Sequence, residues 1–124
     1  MPADNCNLAR FLDAQAGCYD NVLSELRSGR KQTHWMWFVF PQLAGLGHSA
    51  TARYYAISGR REAAAYLDHR VLGTRLRNCC DTLLKLEDIR AVDIFGAVDA
   101  LKLRSCVTLF DTIAPEQTFH RVLK

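Results

Sequence analysis

Apolar residues recur three and four positions apart along most of this chain, and that spacing marks one face of an α-helix. The clearest stripe is Leu8, Phe11, Leu12, Gln15, Tyr19, Val22, Leu23 and Leu26. It predicts one amphipathic helix from about Asn7 to Ser28, started by Asp4 or Asn5 and ended by Gly29. Leu72, Leu76, Cys79, Leu83 and Leu86 predict another from about Val71 to Leu86. Leu103, Cys106, Phe110 and Ile113 mark a third, capped by Asp99. Shorter helices are expected from Ser49 to Ile57, from Glu62 to Leu67 and after Pro115, with a helical turn at Asp93–Gly96 closed by glycine. The expected fold is all-α: a single helical domain over residues 1–124, a compact bundle of about six or seven helices.

One segment resists this reading. His34-Trp35-Met36-Trp37-Phe38-Val39-Phe40 holds four of the twelve aromatic residues. Its periodicity does not separate a helix from a buried strand. No partner strand is apparent elsewhere, and Thr33 can cap a short helix, so a helix is expected. Pro41 ends it by pushing Phe40 toward an extended backbone. Trp35–Phe40 is also the longest wholly apolar run, far below the roughly 18 residues that cross a bilayer. No export signal opens the chain, and a cytoplasmic location is expected.

Composition narrows the chemistry. A length of 124 residues permits a core without metal or disulfide staples. The net charge of +3 is too mild to point to nucleic acid. Twelve of the sixteen basic residues are Arg, whose fork suits carboxylate and phosphate. Five cysteines, with Cys79 and Cys80 adjacent and no Cys-x-x-Cys, read as free thiols buried as small hydrophobes. His34, His48, His69 and His120 lack metal-ligand spacing, so neither metal nor cofactor is expected. The Gly45-Leu46-Gly47 loop lacks the Gly-Lys-Ser/Thr that would cradle phosphate and follows no strand.

Some residues nevertheless suit an anion. Lys102 and Arg104 fall in the first turns of the helix expected after Asp99. Cations there cost about 0.3–1 kcal/mol each unless an anion compensates. Pairing with Asp93 or Asp99 is the structural alternative. Trp35 and Trp37 can stack on a base or anchor the core. His69 follows Asp68 at a helix end, where a capping bond is the simpler role.

The segment Lys31-x-x-His34-Trp35-Met36-Trp37-Phe38-x-Phe40-Pro41-Gln42-Leu43-x-Gly45-Leu46-Gly47-x-Ser49 resembles the hallmark of the bacterial domain-of-unknown-function family numbered 1810. The resemblance continues through Phe11-x-x-Ala14-Gln15-x-x-x-Tyr19, Tyr55-Ala56-Ile57, Glu62-Ala63-x-x-Tyr66-Leu67-x-His69 and Leu72-Gly73-x-Arg75-Leu76. It closes with Asp93-Ile94-Phe95-Gly96, Lys102-Leu103-x-Ser105 and Thr108-Leu109-Phe110. It implies a mainly helical, cytoplasmic domain and supplies no activity. Arg70 stands where the family usually has proline, and Cys106 where it has a small serine. Family chains often continue past the final helix.

The resemblance sharpens one inference. Its motif places Lys, His, Arg and Gln at set positions, and buried charge is costly unless paired. Convergence on one concavity would explain them. The expected site holds a small anionic, nucleotide- or phosphate-like ligand on Lys31, Arg75 and Lys102. His34 or His69 is the acid–base candidate for a hydrolase or transferase step. Trp35 or Trp37 stacks on the ligand ring, and Gln42, Ser49, Tyr55 and Ser105 complete the polar lining. The alternative is a protein-interaction module without catalysis, anchored by the aromatic run. A third reading makes the polar residues one internal hydrogen-bond network.

Overall fold

A computed structural model describes residues 7–86 and 89–123. The caps expected at Asp4 or Asn5 lie outside the described residues. Within them the chain forms eight α-helices: α1 (Ala9–Ala16), α2 (Tyr19–Ser28), α3 (Met36–Val39), α4 (Ala50–Tyr54), α5 (Arg60–Asp68), α6 (Arg70–Leu84), α7 (Ala91–Ile113) and α8 (Gln117–Val122). The all-α expectation holds. Among the described residues the only β pairing is an isolated parallel bridge between Leu43 and Ile57.

The first predicted helix is two. Gly17 ends α1, and Cys18 leaves the helical region at φ −138°. A helix-interior glycine costs about 1 kcal/mol, so the break falls there. The apolar stripe survives because both helices turn it inward, with Phe11 and Gln15 on α1 and Val22 and Leu26 on α2. Gly29 closes α2 in the left-handed conformation at φ 75°. Thr33 does not cap α3; Trp35 occupies that position without a side-chain cap. Ser49 does cap α4, its Oγ accepting from the Ala52 N–H at 3.0 Å. That helix stops at Tyr54, before the expected Ile57, whose backbone pairs with Gln42 and Ala44 instead.

Helix α6 starts on His69, whose Nδ1 accepts from the Val71 and Leu72 N–H groups at 3.1 and 3.3 Å. Arg70 is then the first helical residue, where proline is well tolerated because that N–H has no helical partner. Helix α7 is kinked at Gly96, which stands at φ 83°, ψ 166°. This is the expected glycine closure, with a new helix beginning immediately after it. Asp99 lies inside that second half rather than capping it.

Two aromatic clusters organise the core. Phe11 meets Tyr66 edge-on at 5.0 Å, Tyr66 meets Phe110 at 5.3 Å, and Phe110 meets Phe119 at 6.5 Å. These rings link α1, α5, α7 and α8. Trp35, Phe40 and Phe95 form a triangle with centroids 6.2–6.3 Å apart. Each such pair contributes about 0.5–1.5 kcal/mol beyond its buried area. No described helix is long and apolar enough to cross a membrane.

Candidate functional site

The site begins where the chain leaves α2. The Lys31 N–H donates to the Ile94 carbonyl at 2.8 Å, which pins the connector against the first half of α7. Glu25 organises the rest of that connector from below. Its carboxylate accepts from the Gln32 and Thr33 N–H groups at 2.6 and 3.0 Å, from the Thr33 hydroxyl, and from the Trp35 indole N–H at 3.0 Å. Burial pushes this carboxyl up, but those donors outweigh it and bring its pKa down to about 2. Glu25 is absent from the residues expected to form the site. Its signal was its place: it follows Val22 by three and precedes Leu26 by one, so it shares their inward face.

The same arrangement places Lys31 over the Trp35 ring, 5.3 Å from its centroid. Its ammonium reaches Asp99 at 3.1 Å, with the lysine side chain only 9% exposed. From the other side Lys102 approaches Asp99 at 3.4 Å and sits 4.8 Å above the Trp37 ring. Four predicted residues, Lys31, Trp35, Trp37 and Lys102, are thus gathered around one carboxylate, expected both as a helix cap and as a pairing alternative for Lys102 and Arg104. Ser105 follows Lys102 by three positions on α7 and is half-buried. Arg104 is exposed and makes no ion pair among the described residues.

Arg75 belongs to a second cluster. Its Nη1 donates to Gln15 Oε1 at 3.3 Å, and its guanidinium lies 4.7 Å from the Tyr19 ring centroid. Gln15 Nε2 in turn donates to the Phe38 carbonyl at 2.6 Å and reaches the Tyr66 hydroxyl at 3.3 Å. Tyr55 packs on Phe38 and Phe11. Gln42, Tyr55 and Trp37 line a cleft beside Gly47 and Ala52, with a cavity of only about 10 Å³. That space holds at most about one water.

The remaining candidates stand apart. His34 and Ser49 are exposed, and Ser49 is engaged in its helix cap. His69 uses Nδ1 to cap α6, which leaves Nε2 as the ring donor. The described cysteines are free thiols, and burial raises the pKa of Cys79 to about 12 and pushes Cys80 and Cys106 higher still. Such thiols are inert as nucleophiles. Among the described residues no His, Cys, Asp and Glu cluster fits a metal ion. No buried side-chain nitrogen or oxygen there lacks a hydrogen-bond partner.

The geometry accounts for most of the polar motif, and the motif runs the length of the chain. Residues 5–124 match the family described as protein of unknown function DUF1810. The chain belongs to that family. It is also similar to a conserved hypothetical protein from Mycobacterium tuberculosis, whose crystal structure was determined at 1.38 Å. The two are 49% identical, with a TM-score of 0.91 over 94% of this chain and 84% of the other. No curated protein matches. The family's tryptophan–proline hallmark is mostly interior here: Trp35 is 1% exposed, and Met36, Val39, Phe40 and Pro41 are buried. Of its two tryptophans only Trp37 keeps appreciable surface.

Proposed function

We propose that this domain binds a small anionic ligand, phosphate- or nucleotide-like, at the paired lysines Lys31 and Lys102. The observation that carries this reading is a charge imbalance. Two ammonium groups share the single carboxylate of Asp99, so the triad holds a net positive charge beside the partly open Trp37 ring. An ammonium has three donors, and Asp99 occupies one on each. An arriving anion takes up the remaining donors and the surplus charge. Trp35 supports Lys31 from beneath, and Trp37 walls the ligand. A hydrolase or transferase step would use His34, exposed three positions from Lys31. His69 is committed to its cap.

The competing reading is structural: the Lys31–Asp99–Lys102 triad ties the connector to α7 and binds nothing. Isothermal titration with inorganic phosphate, pyrophosphate and nucleoside monophosphates separates them. Ligand binding predicts saturable heat with at least one of these anions and about a tenfold loss in Lys102→Ala. Absence of heat with every anion, or heat unchanged in Lys102→Ala and Lys31→Ala, leaves the structural reading.

A further inference from the structure

A roomy cavity lies away from the paired lysines. It is a half-open groove of about 710 Å³ between the end of α6, both halves of α7 and the end of α8. None of the residues assigned to the anion site lines it. The kink at Gly96 builds it, because Ile94 and Phe95 before the kink and Ala97, Ala100, Leu101, Leu103 and Arg104 after it all line it.

The lining has a consistent chemistry. Its apolar part is almost wholly aliphatic, with Leu83, Leu84, Val92, Leu101, Leu103 and Val122 among its members and Phe95 its one ring. Its charged residues are Arg90, Arg104 and Arg121, with no acidic residue among the described lining residues. Arg90 is engaged with Asp93 at 3.3 Å. Arg104 and Arg121 have no ion pair among the described residues. Leu101 is 67% exposed, an apolar side chain left open to water at the mouth.

These features select one kind of occupant. The volume falls in the range of small-molecule sites, about 300–1,000 Å³. Aliphatic walls match an alkyl chain, whereas a base would seek aromatic faces to stack on. Guanidinium forks match a carboxylate through paired hydrogen bonds. A second copy docked groove to groove would bring two all-basic linings together with no acidic lining residue to pair them. We infer that the groove binds one long-chain carboxylate, its alkyl chain against α6, α7 and α8 and its head group on Arg104 and Arg121.

The test uses the full chain and the fluorescent fatty acid cis-parinarate, kept below its critical micelle concentration. Saturable uptake at one per chain, displaced by palmitate and not by hexadecyltrimethylammonium, is expected. The double variant R104E/R121E should lose about tenfold or more in affinity. So should Leu101→Glu, which tests the apolar wall at a mostly exposed position that folding tolerates. Circular dichroism and thermal unfolding of both variants should match the wild type. Lack of saturable uptake, equal displacement by the cationic amphiphile, or affinity unchanged in both variants overturns the inference.

Discussion

The Lys31 ammonium lies 3.1 Å from the Asp99 carboxylate, joining the connector after α2 to the helix that restarts beyond Gly96. Lys102 shares the same carboxylate at 3.4 Å. Asp99→Asn therefore strands two ammonium groups, one of them nearly buried. Urea unfolding at pH 7 should show a loss of about 2–3 kcal/mol, somewhat below the cost of breaking a fully buried pair. The same variant should bind inorganic phosphate more tightly than wild type, because the internal competitor is gone. Destabilisation without phosphate binding in either protein would assign the triad to structure alone.

Glu25 makes stability depend on acid. Its folded pKa of about 2 lies below the ordinary carboxylate value of 4.5. The unfolded chain therefore binds the proton more readily than the folded one. The contribution is fully present above about pH 5 and is lost as pH falls toward 2, on the order of 3 kcal/mol. Glu25→Gln should be less stable than wild type at pH 7, with the gap closing by pH 2–3. Urea titrations across that range check it; a pH-independent gap would show that the carboxylate charge is not the cause.

Arg10 and Glu62 are both buried and pair through two contacts, at 3.0 and 3.2 Å. Arg10 also donates to the Asn7, Tyr54 and Ala56 carbonyls, and Glu62 accepts from the Ser58 N–H. The pair thereby clamps α1, the end of the α4 loop and α5. Glu62→Ala should cost about 3–5 kcal/mol, because it removes a buried carboxylate that meets the guanidinium at 3.0 and 3.2 Å and also accepts from the Ser58 N–H. The change in unfolding midpoint measures this, and a loss under 1 kcal/mol would mean the clamp is dispensable.

Gly73 allows α6 to pass close to the end of α5. A Cβ built there would stand 2.0 Å from the Leu67 carbonyl oxygen, which is backbone and has little room to move. Gly73→Ala should destabilise by about 1–3 kcal/mol despite the higher helix propensity of alanine. Thermal unfolding decides the sign, and a stabilised variant would show that the two helices can separate at that point.

The helical character of the chain was readable from spacing, because a 3.6-residue period follows from local geometry and needs no knowledge of partners. Helix ends set by local chemistry were readable too: Gly29, Ser49 and Gly96 act through their own backbone or a side chain three residues away. The break at Gly17 was missed because α1 and α2 aim their apolar faces at the same core, so the stripe ran on through it. The Lys102–Asp99 pair, three residues apart, was legible as one alternative. The arrival of Lys31 at that carboxylate and the donors that converge on Glu25 were not, because an acidic side chain carries no mark in one dimension of which remote cation or N–H will reach it.

Residue identity, then, settled which segments coil and which side chains carry positive charge. Only the packed chain decided that Lys31 and Lys102 meet over one carboxylate while Arg75 joins Gln15 and Tyr19, and that a groove opens where α7 bends. Helical periodicity arises from interactions within four residues. Convergence of charges and the shape of a cavity arise from the docking of elements far apart in the chain, and no local rule encodes that.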